Sequence, residues 1–418
     1  MLHMKMSPSP LLFKPHGPAD ASSIAYNMII EQQNPNSDFS NLREVQITDA
    51  AVVTALADNL GGSWKRLLAG ETAIRPVTRF PVRNYCSRVA ACIEGLEPHE
   101  GGSRIRPLLD RLFLEMAPVP PDSFLITATT KGGIDNLERL RRAEHSEVAD
   151  IPLSAVTRLV SKKLGLVQEG FNVSASCASS AIAVAQGAGL IALGRTDAVL
   201  VCCIDLVTEF TFSGFSCLKA LSPFPCKPFD RDRQGLSLGE GAAALLLMSN
   251  ERAKKESRHS LGKVLGWGIA GDAVHITAPD KDGCGLVEAV LRALRMAGLE
   301  SGEIAGVGAH GTGTLYNDLM EMAAFQQVFG KRRVPVYSVK GGLGHSLGAT
   351  GGIEIALGLQ ALSNRILPPT VGLTHPMAEA KGMVRVEPFS ISEDCLLTTN
   401  SGFGGINAAL IMGRGSPA

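Results

Sequence analysis

At 418 residues, with forty basic and forty acidic side chains, the chain carries no formal net charge. That balance removes the global electrostatic footprint of a nucleic-acid binder, and the length allows one large core or two fused halves. No run approaches the roughly twenty apolar residues of a membrane span, and nine cysteines without a CxxC pair favour a reduced, cytoplasmic protein over a disulfide framework.

Residues 1–42 differ from the rest. Pro8, Pro10, Lys14 and Pro15 interrupt the apolar start, and one short apolar stretch, Ile24 to Ile30, precedes NPNSDFSN, so this segment reads as an arm or tail. The core is expected from Arg43, where VQIT leads into a strand and ADNLGGSWKRLLAG reads as helical. Phe171 to Ala175 reads as a strand, followed by a small-residue turn and a helix from Cys177 to about Leu193. Ala198 to Cys203 and Ala242 to Met248 are near-continuous apolar runs, as strands covered on both faces are. Val334 to Val339 reads as another strand, with a glycine-rich loop and a helix from about Gly351 to Leu362 behind it. Strand, small-residue loop and apolar helix thus recur after roughly 160 residues, which predicts two related α/β halves in a layered architecture.

Three islands carry chemistry. In VSASCASSA, Cys177 stands where a helix opens; unpaired amides and the positive dipole end would lower a thiol pKa and hold an oxyanion. The plainer alternative is a buried cysteine packing as a small hydrophobe, which suits Cys202 and Cys203 better. In AHGTGT, His310 follows an apolar strand-like run, with Thr312 and Thr314 as supporting hydroxyls. Gly306, Gly308 and Gly311 satisfy GxGxxG, but the histidine lies inside the loop and TLYND does not open like an apolar helix, so a dinucleotide site is not expected. In SVKGGLGHSLGATGG, Lys340 and His345 share one glycine-rich loop; a surface turn with a solvated lysine explains the glycines but not the apolar flanks. A thiol, two imidazoles and an ammonium group suit covalent acyl transfer. Cys177, His310 and His345 could instead ligate zinc, although their spacing does not favour it. A fourth island, TTNSGFGGINAALIMG, places Phe403 between Gly402 and Gly404, where its amide could face the sulfur.

In order and spacing these islands resemble the β-ketoacyl-acyl carrier protein synthases, the condensing enzymes of the thiolase superfamily, over about Arg43 to Gly413. LLAGETAIRPVTRF, LKALSPFPCKPFDRDRQGLSLGEGAAALLL and DAVHITAPDKDG add to the likeness. The resemblance implies a thiolase-like fold of two β-α halves in five layers, α-β-α-β-α. Residues 43–250 would form the half with the nucleophile and 251–418 the half with the His/Lys/His cluster. It implies a homodimer, an acyl carrier protein as partner, and no metal or organic cofactor. By motif match Cys177 would take the acyl group, while His310 and His345 would promote malonyl decarboxylation and stabilise the enolate. Lys340 with its acidic partner Glu354 would order the cluster, and the amides of Cys177 and Phe403 would form the oxyanion hole, with Phe403 also gating the acyl pocket. Lys219 matches a position that often carries a basic residue for the carrier, with Arg104 and Arg106 as weaker candidates.

The chain also departs from the family pattern. An ungapped match puts Ser401 where the first phenylalanine of NSFGFGG stands, which implies a looser gate or a differently shaped pocket. Cys202 and Cys203 stand for a glycine pair, and Asp49 and Ala51 for glycines of the first loop. The stretch from about Leu96 to Asp150 is short, which looks more like synthases of secondary-metabolite clusters such as aryl polyene pathways. Two other readings stay open. One is a non-catalytic chain-length-factor-like partner, which commonly lacks the nucleophile that is kept here; the other is a degradative thiolase or another acyltransferase, and thiolases characteristically use a second late cysteine where this chain has NSGFGGIN.

Overall fold

The computed structural model describes residues 41–98 and 100–415, all in the second of the two units, 1–37 and 38–418, into which the chain divides. The expected arm at 1–42 therefore lies almost wholly outside the described residues.

Ten strands form one continuous sheet: β1 (Val45–Thr54), β2 (Phe124–Ala128), β3 (Phe171–Val173), β4 (Ala198–Asp205), β5 (Gly241–Ser249), β6 (Gly262–Gly271), β7 (Ile304–Gly308), β8 (Val336–Tyr337), β9 (Cys395–Gly402) and β10 (Ile406–Arg414). Their order is β8-β7-β9-β10-β6-β1-β5-β4-β2-β3. Read outward from the centre, β1-β5-β4-β2-β3 and β6-β10-β9-β7-β8 repeat one topology. In each, the first two pairings are antiparallel and the last two parallel. The two five-stranded halves join only where β1 and β6 pair, Val45 with Val264 to Ile47 with Gly262.

Of the helices among the described residues, the six longest build the layers: α1 (Ile105–Leu114), α2 (Leu153–Leu164), α3 (Ser179–Ala192), α4 (Cys284–Ala297), α5 (Leu315–Phe329) and α6 (Thr350–Asn364). Composition sorts them. The sequences of α3, SSAIAVAQGAGLIA, and α6, TGGIEIALGLQALSN, are apolar all round, and nearly every residue is buried. Helices of that kind need protein on every side. They pack against each other and against strands of both half-sheets, forming the central layer. Helix α4 instead buries Leu286, Ala289, Val290, Ala293 and Leu294, one face at helical spacing, and covers β6 and β10 from outside. Helices α1 and α2 cover the other half-sheet. The result is the expected α-β-α-β-α stack, and β4 and β5 are buried at every position, as their apolar runs require.

Four local expectations change. Helix α3 opens at Ser179, so Cys177 sits in the turn before it. The strand expected over Val334 to Val339 shrinks to β8, because the backbone curls into a short helix, Lys340–Leu343, immediately afterwards. Lys340 therefore opens a helical turn instead of sharing one loop with His345. TLYND does begin a helix, α5, whose buried Asp318 and Glu321 masked its apolar face in the sequence. Among the described residues no helix is long and apolar enough to cross a membrane.

Candidate active site

The tip of each third strand leads to the site. After β3, Ser176 adopts φ 49°, a left-handed conformation uncommon for a residue with a side chain, and its hydroxyl donates to the Phe403 carbonyl at 2.9 Å. This turn swings Cys177 to the head of α3. A Cβ on Gly402 would meet the Cys177 amide nitrogen at 3.1 Å, so the strand end bearing Phe403 passes directly beside the nucleophile. The Phe403 backbone favours the ionised sulfur, and its ring stacks on Phe215 with centroids 5.7 Å apart.

After β8 the chain carries Lys340 and His345 inward, and every residue from 336 to 359 is buried. His345 Nε2 stands 3.0 Å from the Cys177 sulfur, and its Nδ1 is 3.0 Å from the Thr350 hydroxyl. The hydroxyl can give or take a proton, so it supports either tautomer of the ring. His310 meets His345 edge to face, centroids 5.2 Å apart, and its Nδ1 is buried with no hydrogen-bond partner among the described residues. Lys340, 1% exposed, donates to the His310 carbonyl and pairs with Glu354 at 2.5 Å. Glu354 also accepts from the Asn400 amide at 2.7 Å.

The His310 loop rests on carboxylates. Glu321 accepts the backbone amides of His310 and Gly311, both at 2.7 Å, while Asp318 accepts those of Thr312 at 3.1 Å and Gly313 at 3.2 Å. Thr312 and Thr314 bond each other at 2.9 Å and line the cavity.

Electrostatics follow from burial. Desolvation drives both His345 and His310 well below the usual histidine range, and the Lys340 ammonium pushes the same way, so both rings are neutral near pH 7. Desolvation also pushes the Cys177 thiol up to about 11, against the pull of Lys340, Lys131 and the Phe403 amide. That overturns the expected lowering: the sulfur stands ahead of the helix start, in a dry site, and burial outweighs the dipole. The resting pair is a thiol beside a neutral imidazole. Glu321 is pushed up to about 7 by burial and the neighbouring Asp318.

Cys177, His310, His345, Thr312, Thr314 and Phe403 line one cavity of about 320 Å³, with Ser401 on its wall and Leu218, Lys219 and Tyr316 toward the exposed side. Ser401 donates to Asn407 Oδ1 at 2.7 Å, so this hydroxyl is held by the hairpin beyond Phe403. Lys219 is exposed at φ 55°. Arg104 is excluded from the rim, since it is buried with Asp135 and Glu240, and Arg106 is tied to Asp150 at 2.7 Å. Cys202 and Cys203 are fully buried. The donor atoms of Cys177, His310 and His345 lie within 4.8 Å of one another, a reach that general acid–base chemistry shares with metal binding. Thr350, Asn400, Asp318 and Glu321 were not singled out from the sequence. Acidic residues inside the otherwise apolar α5 are the one signal that could have revealed the last two.

Comparison with known proteins bears on this arrangement. The beta-ketoacyl synthase N-terminal domain family matches residues 131–253, and its C-terminal domain family matches 261–374. A 3-oxoacyl-[acyl-carrier-protein] synthase 2 from Rhizobium meliloti (strain 1021) is 30% identical, covering 89% of this chain and 99% of its own. The tetracenomycin polyketide synthase ketoacyl synthase alpha subunit of Streptomyces glaucescens is also 30% identical, covering 89% and 97%. Among solved structures, the ishigamide ketosynthase/chain length factor superposes with TM-score 0.82 at 28% identity, over 89% of this chain and 99% of that one. The ketosynthase ApeO in complex with its chain length factor ApeC from Xenorhabdus doucetiae gives 0.77 at 28%, over 89% and 98%.

Proposed function

The chain belongs to the β-ketoacyl synthase family, and from that premise we propose that Cys177, His310, His345 and Lys340 carry out decarboxylative condensation of an acyl thioester with a malonyl thioester, both borne by acyl carrier protein. The protein is a condensing acyltransferase of fatty acid or polyketide synthesis. The observation that carries the residue assignment is the 3.0 Å contact between Cys177 Sγ and His345 Nε2 with the His310 ring edge-on beside it.

In the first step the sulfur attacks the acyl carbonyl while its proton passes to His345, whose neutral ring accepts it despite the raised thiol pKa. The carbon–sulfur bond to the carrier then breaks, and the carrier thiol leaves with that proton. The Phe403 and Cys177 amides hold the oxyanion; donors so placed are each worth about 3–4 kcal/mol of barrier in other enzymes. In the second step the malonyl carboxylate leaves as carbon dioxide, and the electron pair of the broken bond becomes an enolate held by the imidazole N–H groups of His310 and His345. That carbanion attacks the acyl-cysteine, forming the new carbon–carbon bond and releasing the thiolate to take up a proton. Neutral rings suit this step because each can donate to the enolate oxygen without placing a full positive charge in a dry site. Lys340 acts through the His310 carbonyl and Glu354 as a positioning residue.

The division of the chain into halves near residue 250, the Phe403 gate and the pairing of the chain in a dimer, with itself or with a related subunit, belong to the same proposal. Lys219 at the cavity mouth would meet an acidic carrier. Exchanging it for Glu should weaken carrier binding at low salt, and unchanged affinity there would retire the contact. The test of the whole reading is intact-protein mass spectrometry after incubation with acyl-carrier thioesters. A single acyl group on Cys177, absent from Cys177→Ala, is expected; stoichiometric acylation of the variant overturns the assignment. A chain-length-factor role is disfavoured by the intact thiol and both rings.

A further inference from the structure

Asp205 ends β4, the topological counterpart of β9 and so of the strand that delivers Phe403. Its carboxylate is fully buried, and among the described residues no cation pairs with it within 4.0 Å. A charge in such a place is tolerated only when hydrogen bonds replace its water, and Asp205 has a full set. Oδ1 accepts from the Thr129 hydroxyl at 2.8 Å, the Thr130 amide at 3.1 Å and the Lys131 amide at 3.3 Å. Oδ2 accepts from the Thr130 hydroxyl and the Gly348 amide, both at 2.7 Å.

The Gly348 bond links Asp205 to the chemistry. Gly348 lies three residues after His345 and two before Thr350, the residue against His345 Nδ1. Its amide is held by Asp205, and its carbonyl accepts from the hydroxyl of Ser180, three residues after Cys177 on α3. One residue, Gly348, is therefore gripped from both sides, through the peptide before it by the end of β4 and through the peptide after it by the helix behind the nucleophile. The turn has no slack: a Cβ on Gly348 would meet Asp205 Oδ2 at 2.7 Å and Thr130 Cγ2 at 2.9 Å. At its near end His345 is fixed by backbone bonds with Ser237 at 2.7 Å and Gly239 at 2.9 Å. The far end depends on Asp205 and Ser180.

We propose that Asp205, with Ser180, is a positioning residue for His345, setting the imidazole at its working distance from Cys177 by clamping Gly348 through its amide and its carbonyl. The inference rests on the catalytic roles assigned above. In Asp205→Asn an NH2 in place of Oδ2 faces the Gly348 N–H, donor against donor, and frees the turn, while an NH2 in place of Oδ1 faces the Thr130 and Lys131 N–H groups and displaces the carboxamide from its own side. Three readouts on the full chain test it. Condensation kcat and the rate of Cys177 acylation, which use the same His345 ring, should both fall, kcat by at least about tenfold, equivalent to about 1.4 kcal/mol, while the KM for the malonyl carrier stays within about threefold, the pattern of a lost transition-state interaction. Ser180→Ala should move the same way by a smaller factor. In the unliganded protein labelled with 15N-histidine, the His345 ring signals should shift in both variants while those of the exposed His259 do not.

Unmoved His345 signals together with wild-type kcat overturn the proposal. So does a loss of rate that comes with a raised KM and lowered thermal stability while the His345 signals stay where they were, which marks a merely structural role. Should Asp205→Asn fail to fold, Ser180→Ala decides by the same criteria. A wild-type protein that takes up no acyl group on Cys177 overturns the functional reading instead, and the histidine spectra then still judge the clamp.

Discussion

Strands β3 and β8 hold the same place in their half-sheets, yet the connections that leave them are built for opposite needs. From β3 the chain takes a short, partly open turn, residues 174–176, and presents Cys177 at the head of α3. From β8 it runs through a longer segment, residues 338–349, buried throughout, before α6 begins. A nucleophile has to be reached by a substrate arriving from solvent, so its turn stays accessible on one side. The neutral imidazole that this segment carries, His345, needs a dry surrounding, and the backbone that bears it is buried throughout. Duplicated topology brings the two turns to the same central layer, and different burial gives them different chemistry.

The sharpest way to break that comparison is to remove each turn's reactive group. Cys177→Ala should lose acyl loading altogether, whereas His345→Ala on the second turn, like His310→Ala in the loop after β7, should keep some loading and lose malonyl decarboxylation by about 100-fold or more, read as carbon dioxide release. Normal release by both histidine variants would contradict the division of labour. Next in size is the buried ion pair on the sealed side. Lys340→Met leaves Glu354 buried without its cation and should cost about 3–5 kcal/mol in thermal or denaturant unfolding. Adding Glu354→Gln should return much of it; equal stability of single and double variants would mean that the pair is not coupled.

Protons sharpen the comparison further. Both histidines are held below their unfolded value of about 6.5, so below that pH the unfolded chain binds more protons than the folded one. Their contribution to stability is complete above about pH 6.5 and is lost as pH falls, by up to about 1.4 kcal/mol per histidine per pH unit. Glu321, raised to about 7, acts with the opposite sign between its unfolded value and that pH. The difference between wild type and His310→Gln/His345→Gln isolates the histidine contribution. It should shrink on acidification from pH 7 to 5; a constant difference would show that the rings titrate as they do in the unfolded chain, and a growing one that they already carry charge. The smallest effect belongs to the open side: Ser401→Ala removes one hydrogen bond to Asn407 and should lower stability by about 1 kcal/mol or less. A larger loss would make Ser401 a structural anchor of the Phe403 hairpin.

How much of this could be read along the chain varies by feature. Cys177, His310, Lys340 and His345 each announce themselves through small-residue surroundings next to apolar runs. Helices α3 and α6 and strands β4 and β5 were recognisable from unbroken apolarity. Element ends were less so: β8 is far shorter than its apolar stretch suggests, because Lys340 already belongs to the next helical turn. Asp205 gave no signal, since one acidic residue after AVLVCCI looks like the polar end of any strand. Thr350 and Asn400 were silent for the same reason.

The sequence by itself determined which reactive side chains exist, that they stand at the ends of apolar strands, and which helices must be covered on all sides, since composition and periodicity fix local conformation and burial. Only the tertiary structure decided that a sulfur and an imidazole 168 residues apart come within 3.0 Å, that the thiol is raised instead of lowered, and that a carboxylate on β4 grips the turn behind His345. Those outcomes depend on how two central helices pack between two half-sheets and on how much water that packing excludes, quantities that arise from the whole chain and from no single stretch of it.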